Sequence, residues 1–145
     1  MIAIDTNLLV YAHRAAAPEH RAARRAIERA SSQGRWGFAV ACVAEFWAVA
    51  THPSSAGRPS TPTEAAAYLE ALAIGGAEVW EPGAGFGARL AQLAVDLDVA
   101  GSRVFDLQIG LIAFERGATE LWTADTRFVK LPGLRLHNPL ARPSA

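Results

Sequence analysis

The chain has one cysteine, one lysine (Lys130), no formal net charge and no long apolar run. Each scarcity excludes something. A single Cys42 cannot close an intramolecular disulfide, so stability must come from a packed core, as suits a reducing compartment. Cys42 lies inside Val40-Ala41-Cys42-Val43, the setting of a small buried hydrophobe rather than a reactive thiol. No stretch approaches the roughly 20 apolar residues that span a bilayer. Met1-Ile2-Ala3-Ile4-Asp5 lacks the basic start and long apolar segment of an export signal. A soluble, cytoplasmic chain without membrane contact is expected. The four histidines, His13, His20, His52 and His137, show no zinc-ligand spacing and read as surface or capping residues.

What is present is enough apolar sequence for one domain. With 145 residues and 51% hydrophobic content, a single core is expected over residues 1–140, with a short tail at 141–145. Trp36, Trp47, Trp80 and Trp122 read as core filling. Charge is unevenly spread. The first 35 residues hold six arginines against three acids, and residues 64–120 hold nine acids against three arginines. A basic patch of this kind either contacts phosphates or forms a solvated helix face.

Short apolar strands alternate with helical patterns. Strands are expected at Met1–Ile4, Gly37–Ala41, Ala77–Trp80 and Leu121–Thr123, with a possible fifth at Leu134–Leu136. Between them lie helical stretches starting near Leu8, Pro18, Val43, Thr61, Ala84 and Phe105. Thr61-Pro62-Thr63-Glu64 has the form of a capping box with proline at the first helical position. Residues 52–60, rich in Pro, Ser and Gly, form the one long loop. Few hairpin signals appear, so the pattern predicts an α/β fold around a central, mainly parallel sheet of four to five strands. Sites in such sheets form beyond the carboxyl ends of strands, where strand order reverses.

Four of the 14 acids sit in apolar surroundings. Asp5 interrupts an apolar run, Glu45 is the sole charge between Gly37 and Ala50, and Asp106 is the sole charge from Val104 to Phe114. Asp125 directly follows Leu121-Trp122-Thr123-Ala124. An isolated carboxylate in such a place is costly, and two sharing a site drive one to protonate. A divalent cation reverses the problem, because hard oxygen ligands around Mg2+ stay ionised together. Asp5 and Asp125 follow strand ends, Glu45 is expected in the first turn of its helix, and Asp106 is expected to open its own. Each also has an ordinary reading: Asp5 and Asp106 as helix caps, Asp125 as a turn residue, Glu45 as a solvent-facing helix position.

At this point the motifs resemble a known family. Ile2-Ala3-Ile4-Asp5-Thr6-Asn7-Leu8-Leu9-Val10-Tyr11-Ala12 is similar to the opening of a PIN domain, in particular that of VapC-type toxins of bacterial toxin–antitoxin pairs. The resemblance continues through Ala44-Glu45-Phe46, Val104-Phe105-Asp106-Leu107-Gln108-Ile109-Gly110, Leu121-Trp122-Thr123-Ala124-Asp125 and His137-Asn138-Pro139-Leu140. It implies a three-layer α/β/α fold and a Mg2+- or Mn2+-dependent endoribonuclease, a hydrolase of RNA phosphodiester bonds. It also implies a cognate antitoxin and a homodimer. By position, Asp5, Glu45, Asp106 and Asp125 are its catalytic, metal-binding acids. Thr6, Asn7 and Thr123 flank them, and Arg14 and Arg127 are candidate contacts to the RNA backbone. Two departures stand out. Phe105 occupies a position where the family often has His, and the loop after Asp125 is short and lacks the second acid often found before the phenylalanine.

Other readings remain. Gly83-Ala84-Gly85-Phe86-Gly87-Ala88 fits the short G-x-G-x-x-A pattern of dinucleotide binding, with Asp106 near the offset of a ribose-binding acid. A receiver domain or metal-dependent phosphatase also places Asp after its first strand, but wants a nearby second Asp or a well-placed Lys. A catalytically silent PIN-like module, binding RNA or a partner protein, would share the same scaffold.

Overall fold

The computed structural model describes residues 1–55 and 57–142. The expected tail at 141–145 therefore falls largely on residues outside those described. Eleven elements follow one another: β1 (Ile2–Ile4), α1 (Thr6–His13), α2 (His20–Ser31), β2 (Trp36–Ala39), α3 (Ala41–Ala50), α4 (Pro62–Ile74), β3 (Glu78–Trp80), α5 (Phe86–Asp96), α6 (Arg103–Glu115), β4 (Glu120–Trp122) and β5 (Arg135–His137). The strands form one five-stranded sheet in the order β3-β2-β1-β4-β5. Every pairing is parallel, with Ile2 opposite both Trp36 and Glu120. Helices flank this sheet in three layers, and the order reverses between β1 and β4.

Burial follows position in the sheet. Central β1 and β2 are buried along their whole length, whereas edge strand β5 alternates between exposed and half-buried. That is the signature of a parallel sheet covered on both faces only at its centre. In α2, Ala23, Ala26, Ile27 and Ala30 are buried at helical spacing, and the arginines face out. Ala22, one position off that stripe, is exposed. Cys42 is fully buried, as its apolar run predicts.

Two helices start earlier than their sequences suggest. α6 begins at Arg103, one turn before Asp106, and its N-cap Ser102 makes no side-chain capping bond. α3 begins at Ala41, which moves Glu45 into the second turn, and Val40 likewise provides no side-chain cap. Without a capping side chain, neither start leaves a mark in the sequence. α4 is the opposite case: Thr61 and Glu64 form the complete capping box, with Pro62 at the first position.

His52 and His137 are exposed as expected, whereas His13 and His20 are half-buried. His13 packs against Phe46 and Tyr68, at 5.3 and 4.6 Å between ring centroids. Its Nε2 lies 2.8 Å from Ser60 Oγ. His137 packs edge-on against Trp122. The glycine-rich turn at 83–88 leads out of β3, an edge strand, so it has no strand-order reversal beside it. The dinucleotide reading fails on that topology.

Candidate active site

Beyond the carboxyl ends of β1 and β4, an open cleft is lined by Asp5, Thr6, Asn7, Glu45, Asp106 and Asp125 together with Val10, Tyr11, Ala48 and Val49. The four acids singled out in the sequence thus share one cleft at the point of strand reversal. They arrive from four places: the β1–α1 junction, the second turn of α3, the first turn of α6 and the loop after β4.

Asp5 is the most constrained. It is the N-cap of α1, and its Oδ1 accepts from the Thr6 backbone N–H at 2.7 Å. Oδ2 accepts from Thr123 Oγ1 at 2.7 Å and, more weakly, from Asn7 Nδ2 at 3.3 Å. The capping reading of Asp5 is therefore correct, and the residue faces the cleft as well. Thr6 Oγ1 donates to Glu45 Oε2 at 2.7 Å. Asn7 clamps the far strand, accepting from Ala124 N at 3.2 Å and donating to Thr123 Oγ1 at 3.1 Å. Asp125 N donates to Thr123 Oγ1, and Asp125 Oδ1 in turn accepts from Arg127 N at 2.8 Å. Asp125 therefore also builds the turn that its sequence suggests. Asp106 caps nothing: it lies in the first turn of α6, whose N-cap is Ser102.

The electrostatics follow from this geometry. Burial pushes the Asp5 carboxyl up to about 6, the Thr123 and Thr6 hydrogen bonds oppose the rise, and the charges of Asp106 and Glu45 add to it. Asp106 is raised too, first by desolvation and then by Asp125 and Glu45, with Arg103 pulling the other way. None of the described residues lining the cleft is basic. The set is hard oxygen donors crowded together without a compensating cation, which suits a hard divalent ion such as Mg2+. Among the described residues, no three acidic, histidine or cysteine side chains stand close enough to share one ion in this arrangement. Two of the acids are held instead by the hydroxyls of Thr6 and Thr123.

The two arginines go elsewhere. Arg14 is buried, and its guanidinium donates to Ala50 O, Ser60 Oγ and Arg58 O. It fastens the 52–60 loop and does not line the cleft, so the expected backbone contact is replaced by a structural one. Arg127 is exposed and lies in a neighbouring recess. Sequence reasoning missed the apolar wall. Its signal was helical spacing: Val10 and Tyr11 stand four residues after Thr6 and Asn7, and Ala48 and Val49 stand three and four after Glu45.

The model of the PIN domain family matches residues 2–134. A VapC ribonuclease of Mycobacterium bovis and ribonuclease VapC43 of Mycobacterium tuberculosis are each 34% identical over 142 residues, covering 97% of this chain and 96% of the relative. This chain belongs to the PIN domain family, among the VapC ribonucleases. Two solved structures share the PIN fold. VapBC2 from Rickettsia felis, bound to a DNA fragment from its promoter, superposes with a TM-score of 0.66 at 20% identity, over 95% of this chain and 98% of that one. VapC20 of Mycobacterium tuberculosis, a Sarcin-Ricin loop cleaving toxin, gives 0.68 at 16% identity, over 88% and 92%. The PIN domain thus accounts for the sheet order and for nearly all of the chain.

Proposed function

We infer that this VapC-type protein is the toxin of a VapBC-type pair and acts as a Mg2+- or Mn2+-dependent endoribonuclease. One observation carries the reading: Asp5, Glu45, Asp106 and Asp125 line a single cleft that has no basic residue of its own among the described residues. A bound divalent ion would polarise a phosphoryl oxygen and supply hydroxide near neutral pH. The chain's residues do the rest. The four carboxylates would hold the ion, Thr6 and Thr123 orient Glu45 and Asp5, and Asn7 ties the β1 side of the cleft to the β4 side. Val10, Tyr11 and Val49 give the substrate an apolar wall, which suits unstacked bases of single-stranded or loop RNA.

An antitoxin partner and a homodimer belong to the same proposal, as does a cytoplasmic location; among the described residues no helix is long and apolar enough to cross a membrane. The silent-scaffold alternative rests on the spacing of the carboxylates, which among the described residues stand wider apart than a single coordination sphere. One experiment separates the two. Wild type should cleave a mixed RNA pool with Mn2+ and not with EDTA, and Mn2+ should titrate calorimetrically. Asp5→Asn and Asp106→Asn should each lose at least about a hundredfold in rate, since metal-site ligation is needed for every turnover. Full metal-dependent activity in Asp5→Asn would sink the assignment.

A further inference from the structure

Next to the carboxylate cleft lies a second recess, lined by Arg103, Arg127 and Lys130 together with Thr126 and the half-buried apolar side chains of Leu97 and Val99. All three cationic residues are exposed. Elsewhere, Arg35, Arg58, Arg89 and Arg135 are spent on ion pairs with Glu78, Glu64, Glu115 and Glu120. Arg103, Arg127 and Lys130 make no such pair among the described residues, and none of the described acids lines their recess. Three cations converging on one concavity repel one another, and no described acid lines that concavity to offset them.

The recess is also tied to the carboxylates. Arg103 precedes Asp106 by one turn of α6, and its charge acts on the Asp106 carboxyl. The Arg127 backbone N–H is held by Asp125 Oδ1. The two concavities are therefore neighbours of opposite sign. We propose that the Arg103–Arg127–Lys130 recess binds the phosphates of single-stranded RNA next to the scissile one, with Leu97 and Val99 as an apolar rest for a base. This deepens the ribonuclease reading and rests on it. A strand whose scissile phosphate reaches the carboxylates through a divalent ion must carry its next phosphates onward, and the recess is where they meet positive charge. An acidic protein segment would match the recess but has nothing to bring it across the carboxylates. The arginines of α2 (Arg21, Arg24 and Arg25) are exposed on a helix face and line neither concavity.

The test compares wild type with the triple variant Arg103→Gln/Arg127→Gln/Lys130→Gln, and with Arg21→Gln/Arg24→Gln/Arg25→Gln as control. Cleavage of a labelled mixed-sequence RNA oligonucleotide in Mn2+ gives KM and kcat. Anisotropy of the same oligonucleotide on an Asp5→Asn background gives the salt dependence of binding. The recess variant should raise KM about tenfold or more and flatten the log–log salt slope by about 2, or roughly 0.7 for each lost cation on a single strand. Its kcat should stay within about threefold, and the α2 control should match wild type. Unchanged KM and slope in the recess variant would overturn the proposal. So would equal losses in the α2 control, or displacement of RNA by a poly-glutamate peptide of equal charge. Failure of the ribonuclease reading looks different: wild type would not cleave. The anisotropy slope then still decides whether the recess holds RNA. Because all three side chains are exposed, unchanged thermal melting should accompany the binding defect.

Discussion

Asp5 meets two demands at once, as the cap of α1 and as the most buried acid of the cleft. Its carboxyl is raised to about 6 from an ordinary 3.8, so the folded state holds the proton more tightly than the unfolded chain. The resulting stabilisation is complete below about pH 4 and is lost as pH rises through about 6, amounting to roughly 3 kcal/mol. His13 works in the opposite sense. Its pKa is lowered by burial and by Arg14, so its contribution is present above 6.5 and is lost as pH falls. Melting the metal-free protein from pH 4 to 7 beside Asp5→Asn isolates the first effect: the wild type should lose ground to the variant as pH rises. A parallel pair of curves would refute the Asp5 shift. Gly37 makes a sharper point. A Cβ there would stand 2.1 Å from the backbone oxygen of Glu78 on the neighbouring strand, and a backbone atom in a paired strand cannot step aside. Gly37→Ala should cost about 3 kcal/mol or more in denaturant unfolding, whereas Gly110→Ala, whose nearest contact would be 3.6 Å, should be tolerated.

Among the elements, α4 owes its start to the Thr61–Glu64 box. Thr61→Ala should remove about 1 kcal/mol, readable as a lowered urea midpoint at constant slope. The 52–60 loop hangs from Arg14, whose guanidinium takes two carbonyls and the Ser60 hydroxyl. Arg14→Gln should cost about 2 kcal/mol or more and open the loop to protease, while KM for RNA stays unchanged. The same two elements show what a sequence can and cannot disclose. Thr61-Pro62-Thr63-Glu64 announces a helix because the capping atoms belong to the side chains themselves. α3 and α6 begin on backbone geometry alone, so Glu45 is legible as belonging to the right helix but not to the right turn, and Asp106 to the first turn of a helix that starts two residues earlier than its sequence suggests. The acids of the cleft stand out in the sequence because charge inside apolar surroundings is costly. Arg14 misleads because nearness to Asp5 along the chain says nothing of direction: α1 ends between them and carries Arg14 to the loop side. The Arg103–Arg127–Lys130 recess joins α6 to the segment after β4, and only the folded chain brings those together.

For the molecule as a whole, the proposed divalent ion in the carboxylate cleft would link stability to ion binding. At an ion concentration a hundred times its dissociation constant, binding adds about 2.7 kcal/mol, or roughly 8 °C in Tm for a chain of this size. Mn2+ should give that rise in wild type and little of it in Asp5→Asn, and an equal rise in both would place the ion elsewhere. The sheet has a further property. Its middle strand pairs with β4 across most of the sequence, Ile2 lying opposite Glu120, and such distant pairings form slowly. On the proposed reading, a ribosome making this protein must deliver Asp125 before the full set of acids exists, so every shorter nascent chain would lack the complete cleft, and a premature stop upstream would disarm the product.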